Sequence, residues 1–100
     1  MAISDVQFKN NWYDIYDGNG KKVKTLPSSV GELCGNSDEI IVFEKGSWYD
    51  IYDEDGNKLK TLPASVGEFR SVNGDKILFK KGSWIDTYDS SGKKINSRAA

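Results

Sequence analysis

A 36-residue period governs this chain. Trp12, Trp48 and Trp84 recur at that spacing, accompanied by Gly20, Gly56 and Gly92, by Lys22, Lys58 and Lys94, and by the apolar column Val23, Leu59 and Ile95. Between the first two copies the identity runs on through Thr25-Leu26-Pro27 and Thr61-Leu62-Pro63, then Val30-Gly31-Glu32 and Val66-Gly67-Glu68. Such a period marks a repeat architecture, in which each copy is a supersecondary unit that buries its apolar face against its neighbours. The 100 residues read as one small domain of three imperfect units, at approximately 1–29, 30–65 and 66–100.

Each unit reads as short antiparallel strands. "WYDIYD" and "KVKTL" are aromatic or β-branched and alternate, with a turn-rich link between them. "EIIVFEK" and "KILFKK" are apolar strands leading into the tryptophans through Gly46-Ser47 and Gly82-Ser83. "VGELCG" and "VGEFRSV" read as a weaker strand opening a unit. No segment carries a helical apolar period, so the expected fold class is all-β: an antiparallel meander closing as a small barrel, a sandwich or a propeller-like sheet. At the chain start, Asp5-Val6-Gln7-Phe8 matches the later apolar strands only if its link to the tryptophan is one residue shorter.

The hairpin loops "GNG", "EDG" and "SSG" place glycine third, as a type I turn closed by a left-handed glycine requires. Continued regularly, that register sets Tyr16 opposite Lys22, Ile15 opposite Val23 and Asp14 opposite Lys24. One face then holds Ile15 with Val23, Ile51 with Leu59 and Thr87 with Ile95, joined by Tyr13, Tyr49 and Ile85, and is the expected core. The other holds Trp12, Asp14 and Tyr16, Trp48, Asp50 and Tyr52, and Trp84, Asp86 and Tyr88, with Asp14–Lys24 and Asp50–Lys60 as expected ion pairs.

Composition removes several chemistries. There is no histidine, so Ser-His-Asp and Cys-His nucleophilic sites and His-ligated zinc are excluded. Fourteen basic residues against fifteen acidic ones leave a net charge of −1, so no long-range field favours nucleic acid or an anionic membrane. No apolar run approaches the ~20 residues of a membrane span, and "MAISDVQFKN" lacks the pattern of a secretory signal, although an exported mature chain would look the same. Cys34 is the single cysteine and reads as an incidental small residue rather than a reactive thiol. "YDEDGNK" has the oxygen-rich look of a calcium loop, yet Leu59 and Thr61 break the ligand spacing and the sister loops lose the acidic residues, so no metal or cofactor is expected.

The nine residues of the Trp-x-Asp-x-Tyr copies are the candidate ligand- or partner-binding set. Their other reading is structural, with aromatic rings and lysine stems covering sheet surface. No catalytic residue is assigned: Asp14, Asp50 and Asp86 are repeat equivalents, whereas a general acid and a general base need contrasting surroundings.

The stretch "EKGSWYDIYDEDGNKLKTLPASVGEFRSVNGDKILFKKG" resembles the bacterial Trp-Gly repeat, in which a Gly-x-Trp turn leads to a strand ending in an Asp-x-x-Gly-Lys turn. The likeness covers nearly the whole chain, but Tyr13, Tyr49 and Ile85 stand where that family has its glycine. It also resembles the blades of a β-propeller. The Trp-Gly resemblance implies a non-enzymatic β-repeat module, and the propeller-blade resemblance implies four antiparallel strands in a similar length of chain.

Propellers typically need ~4–8 blades, so a closed monomeric ring is not expected from three units. The remaining solutions are a compact meandering sheet or barrel, which is favoured, an open array, or chains that pair their open edges. The functional expectation is a module for protein interaction or self-association. The alternatives are a carbohydrate-binding module using the Trp/Tyr stripe and, less favoured, a carboxylate-dependent glycosidase.

Overall fold

The computed structural model describes residues 3–99. These form three antiparallel sheets rather than one. The first comprises β1 (Ile3–Lys9), β2 (Trp12–Asp17) and β3 (Lys22–Pro27). The second comprises β4 (Glu32–Asn36), β5 (Ile40–Lys45), β6 (Trp48–Asp53) and β7 (Lys58–Pro63). The third comprises β8 (Glu68–Asn73), β9 (Lys76–Lys81), β10 (Trp84–Asp89) and β11 (Lys94–Ala99). Strands within each sheet are neighbours in chain order, so the expected all-β antiparallel meander forms, and none of the sheets closes on itself, so of the favoured meandering sheet or barrel it is the open meander that is present, as a stack. The reason is that both faces of the middle sheet are apolar, and a separate sheet covers each.

The hairpin turns form as their sequence dictates. The Gly20 amide donates to the Asp17 carbonyl, the Asp17 amide to the Lys21 carbonyl, and Gly20 takes φ 77°. The Asp17 carboxylate accepts the amides of Asn19 and Lys21, a cap repeated by Asp53 and Asp89 in the other two loops. Turn closure therefore engages the Asp53 carboxylate of "YDEDGNK".

Beyond the turn the register departs from the regular continuation. Tyr16 does pair with Lys22, but Ile15 pairs with Lys24 and Asp14 with Thr25, because Val23 is the extra residue of a bulge. Leu59 and Ile95 occupy the same kind of bulge. The expected core column Val23, Leu59 and Ile95 is consequently exposed, and the lysine that approaches Asp14 is Lys22 rather than Lys24. A bulge shifts every later partner by one, which a turn-based register cannot foresee.

Two apolar layers hold the stack together. Tyr13, Ile15 and Leu26 of the first sheet meet Ile41, Phe43 and Tyr52 of the second. On its reverse, the second sheet directs Ile40, Val42, Tyr49, Ile51 and Leu62 at Ile77 and Phe79 of the third. The four consecutive buried residues Ile40–Phe43 thus divide two and two between layers, as a strand buried on both faces must. Tyr13 packs edge-on against Phe43 with ring centroids 5.0 Å apart, and Phe43 against Tyr52 at 5.4 Å.

A clasp repeats at each crossing to the next sheet. The Tyr13 hydroxyl donates to the Gly31 carbonyl at 2.9 Å and accepts the Leu33 amide at 3.3 Å. Tyr49 does the same with Gly67 and Phe69 at 3.1 and 3.3 Å. The crossing itself is a 3-10 turn, Ser28–Val30 or Ala64–Val66, ahead of that opening strand, so β4 and β8 begin two residues later than the sequence suggested. Gly31 and Gly67 have φ of 124° and 129°, and a β-carbon there would lie 2.5 and 2.6 Å from the backbone oxygens of Glu44 and Lys80. Only glycine fits such an approach.

The outer faces differ from the inner ones at equivalent positions. Pairing Asp5 with Tyr16 and Gln7 with Asp14 makes them the counterparts of Ile41 and Phe43, and of Ile77 and Phe79. The same register makes Phe8 the counterpart of Glu44, so the first link to tryptophan is not shortened. On the far side, Ile85, Thr87 and Arg98 replace the Tyr49, Ile51 and Leu62 of the middle sheet. Each end of the stack is thereby more polar than the surfaces it encloses.

Candidate functional site

The three tryptophans each open a cleft at the same end of their sheet. Trp12 lies among Lys9, Asn10, Asp14, Tyr16, Lys22 and Thr25. Trp48 has Lys45, Ser47, Asp50, Lys58 and Thr61 around it, and Trp84 has Lys81, Ser83, Asp86, Lys94 and Ser97. The indoles remain 48, 51 and 53 % exposed. Strand alternation puts Trp, Asp and Tyr on one face, and the bulge brings in the first lysine of the following strand rather than the second.

At the floor of each cleft sits a buried aspartate, 7, 5 and 4 % exposed for Asp14, Asp50 and Asp86. Its Oδ1 accepts a hydroxyl hydrogen from Thr25 at 2.9 Å, Thr61 at 2.7 Å or Ser97 at 2.6 Å. Lys22, Lys58 and Lys94 bring Nζ to 4.0, 3.9 and 3.9 Å of the same carboxylates. At that range, and with the lysine side chains half exposed, each pair stabilises the fold by only about 0–1 kcal/mol. Each cleft thus offers a flat apolar plate, a carboxylate acceptor, a hydroxyl and a mobile ammonium donor.

The tyrosines of the repeated motif part company. Tyr16 lies half-buried in the first cleft, on the outer face. Tyr52 is buried in the first apolar layer, and Tyr88 packs against the second, edge-on to Phe79 at 5.5 Å. Burial, followed by the neighbouring Asp50 carboxylate, pushes the Tyr52 phenol above its ordinary value. The hydroxyl column Thr25, Thr61 and Ser97 was not singled out from the sequence, yet it was readable there, since it keeps the 36-residue spacing of the tryptophans.

Cys34 is half-buried against the second layer. Burial, then Glu44 and Glu32, push its thiol up to about 11. Little thiolate is then present at neutral pH, so alkylation by iodoacetamide at pH 7.5 is expected to run on the order of a hundredfold slower than for a free cysteine. A rate equal to that of free cysteine would contradict this burial.

The third unit bears most directly on what the clefts are for. It has exchanged the residues that pack and clasp a following sheet, with Ile85 for tyrosine, Thr87 for isoleucine and Arg98 for leucine. It nevertheless keeps Trp84, Asp86, Lys94 and a hydroxyl at Ser97. No family model, curated protein or solved structure matches this chain.

Proposed function

We propose that the chain is a non-enzymatic β-repeat module of the Trp-Gly type that binds carbohydrate through its three Trp-Asp-Lys clefts. The observation that carries this reading is the retention of Trp84, Asp86, Lys94 and Ser97 in a unit that has exchanged the residues that would pack and clasp a following sheet. A pyranose ring has an apolar C–H face for the indole, and its hydroxyls can donate to the aspartate while accepting from the lysine. Protein hot spots instead gather at the centre of a broad patch ringed by further contacts that exclude water. Here each indole stands among lysines, an aspartate and small polar residues. Self-association, the other expectation, is disfavoured by Asp5, Gln7, Thr87 and Arg98 on the outer faces. Equivalent aspartates in equivalent surroundings support binding rather than acid-base chemistry.

The test is a panel of soluble oligosaccharides followed by tryptophan fluorescence and calorimetry. A binding glycan is expected to fill three sites on the natural chain and two on Trp48→Ala, with no release of reducing ends. Quenching by none of the panel would overturn the carbohydrate reading. Turnover that disappears in Asp50→Asn would overturn the non-enzymatic one.

A further inference from the structure

A second column of lysines reaches the three clefts. Lys9, Lys45 and Lys81 keep the 36-residue spacing of the tryptophans. Each ends the strand before its tryptophan and is joined to it by a two-residue turn. The antiparallel register therefore sets Lys9 directly opposite Trp12, Lys45 opposite Trp48 and Lys81 opposite Trp84. Residues paired in this way project from the same face of a sheet, with β-carbons about 4.5–5.5 Å apart. All three lysines are exposed, and each lines its cleft.

Charge within the clefts does not balance. Lys22, Lys58 and Lys94 approach the buried aspartates, but among the described residues Lys9, Lys45 and Lys81 make no ion pair. Each cleft therefore holds two ammonium groups against one carboxylate, an excess of one positive charge, in a chain whose net charge is −1. The aspartate is committed at the floor, where its Oδ1 already accepts a threonine or serine hydroxyl. The unpaired ammonium belongs to the residue across from the indole, so a ring lying on that indole has a free cation at its edge.

Resting on the carbohydrate reading, we infer that the clefts take acidic saccharides: a uronic acid ring lies on the indole and its carboxylate meets Lys9, Lys45 or Lys81. One excess charge per cleft matches one carboxylate per ring rather than the clustered charges of a polysulfated chain. A single-stranded nucleic acid also combines flat rings with anions, but it is held by a continuous basic groove that tracks its backbone. Here the excess charge is one per cleft, and an aspartate sits at the floor of each.

The probes are oligomers of galacturonate and of mannuronate, each with a methyl-esterified counterpart, titrated into the natural chain and followed through its three indole N–H signals. At least one acid is expected to bind about three- to fivefold more tightly than its ester at each cleft in ~20 mM salt. The advantage is expected to vanish at ~1 M salt, where the Debye length shrinks to about 3 Å. In Lys45→Gln the Trp48 signal should respond to acid and ester alike, while Trp12 and Trp84 still prefer the acid. Lys21→Gln removes the same charge from a hairpin loop and should leave the preference intact at all three. Equal affinity for acid and ester in the natural chain, or a preference at Trp48 that survives Lys45→Gln, would overturn the inference and leave the carbohydrate reading standing. Tighter binding of an oligothymidylate of equal charge would overturn both. Binding of neither acid would overturn the inference, and the neutral members of the glycan panel then decide the broader reading.

Discussion

Phe43→Ala is expected to cost about 3–5 kcal/mol of folding stability, while Gln7→Ala, one repeat earlier at the equivalent position, changes it by less than about 0.5 kcal/mol. Phe43 is fully buried between the first and second sheets and touches the rings of both Tyr13 and Tyr52. Deleting it opens a cavity that two sheets must collapse to fill. Domains of this size hold only about 5–15 kcal/mol in total, so the loss removes a large fraction of it. Gln7 occupies the same column on an exposed outer face, where its amide bonds the Asp5 carboxylate at 2.9 Å. Urea unfolding of the two variants checks the contrast. Equal costs would mean that the column has the same surroundings in both units and that the sheets do not stack in this order.

Making both outer faces resemble the inner ones is expected to turn a monomer into a growing chain of molecules. The changes are Asp5→Ile and Gln7→Phe on the first sheet, with Ile85→Tyr, Thr87→Ile and Arg98→Leu on the third. Each outer face then carries the side chains that the middle sheet presents to its neighbours. Two different complementary faces on one molecule make a heterologous contact, which propagates when no ring closes. Light scattering should give a monomer for the natural chain across a concentration series, and a mass rising with concentration for the five-fold variant. Variants altered on one face alone should stop at a dimer. A natural chain that elongates, or a five-fold variant that stays monomeric, would show that the polar outer faces do not limit stacking.

Much of this was legible in the residues. The 36-residue spacing located the units, the glycine at the third loop position fixed the hairpin turn, and strand alternation put the tryptophans on the face opposite Tyr13 and Ile15. The bulge at Val23 was not legible, because one unpaired residue leaves no mark in a column that is apolar in all three copies. Its consequence was a wrong partner, Lys24, for Asp14 and a wrong burial for Val23, Leu59 and Ile95. The separation into stacked sheets was hidden for a related reason. Ile40–Phe43 reads as one apolar run, and only three dimensions divide its faces between two neighbours. The fates of Tyr52 and Tyr88 followed from that division, since the face that carries each cleft also meets the preceding sheet further along the strand.

The central claim is that three equivalent clefts bind one class of ligand, and each contains one indole N–H. A nitrogen-edited spectrum of the chain therefore holds three indole signals, one for each cleft. Titration with the oligosaccharide that quenches fluorescence most strongly is expected to move all three signals with similar midpoints, and replacing Lys58 by alanine should weaken the response of Trp48 alone. Signals that stay fixed throughout the titration, or a Trp48 response unchanged by that substitution, would contradict the account.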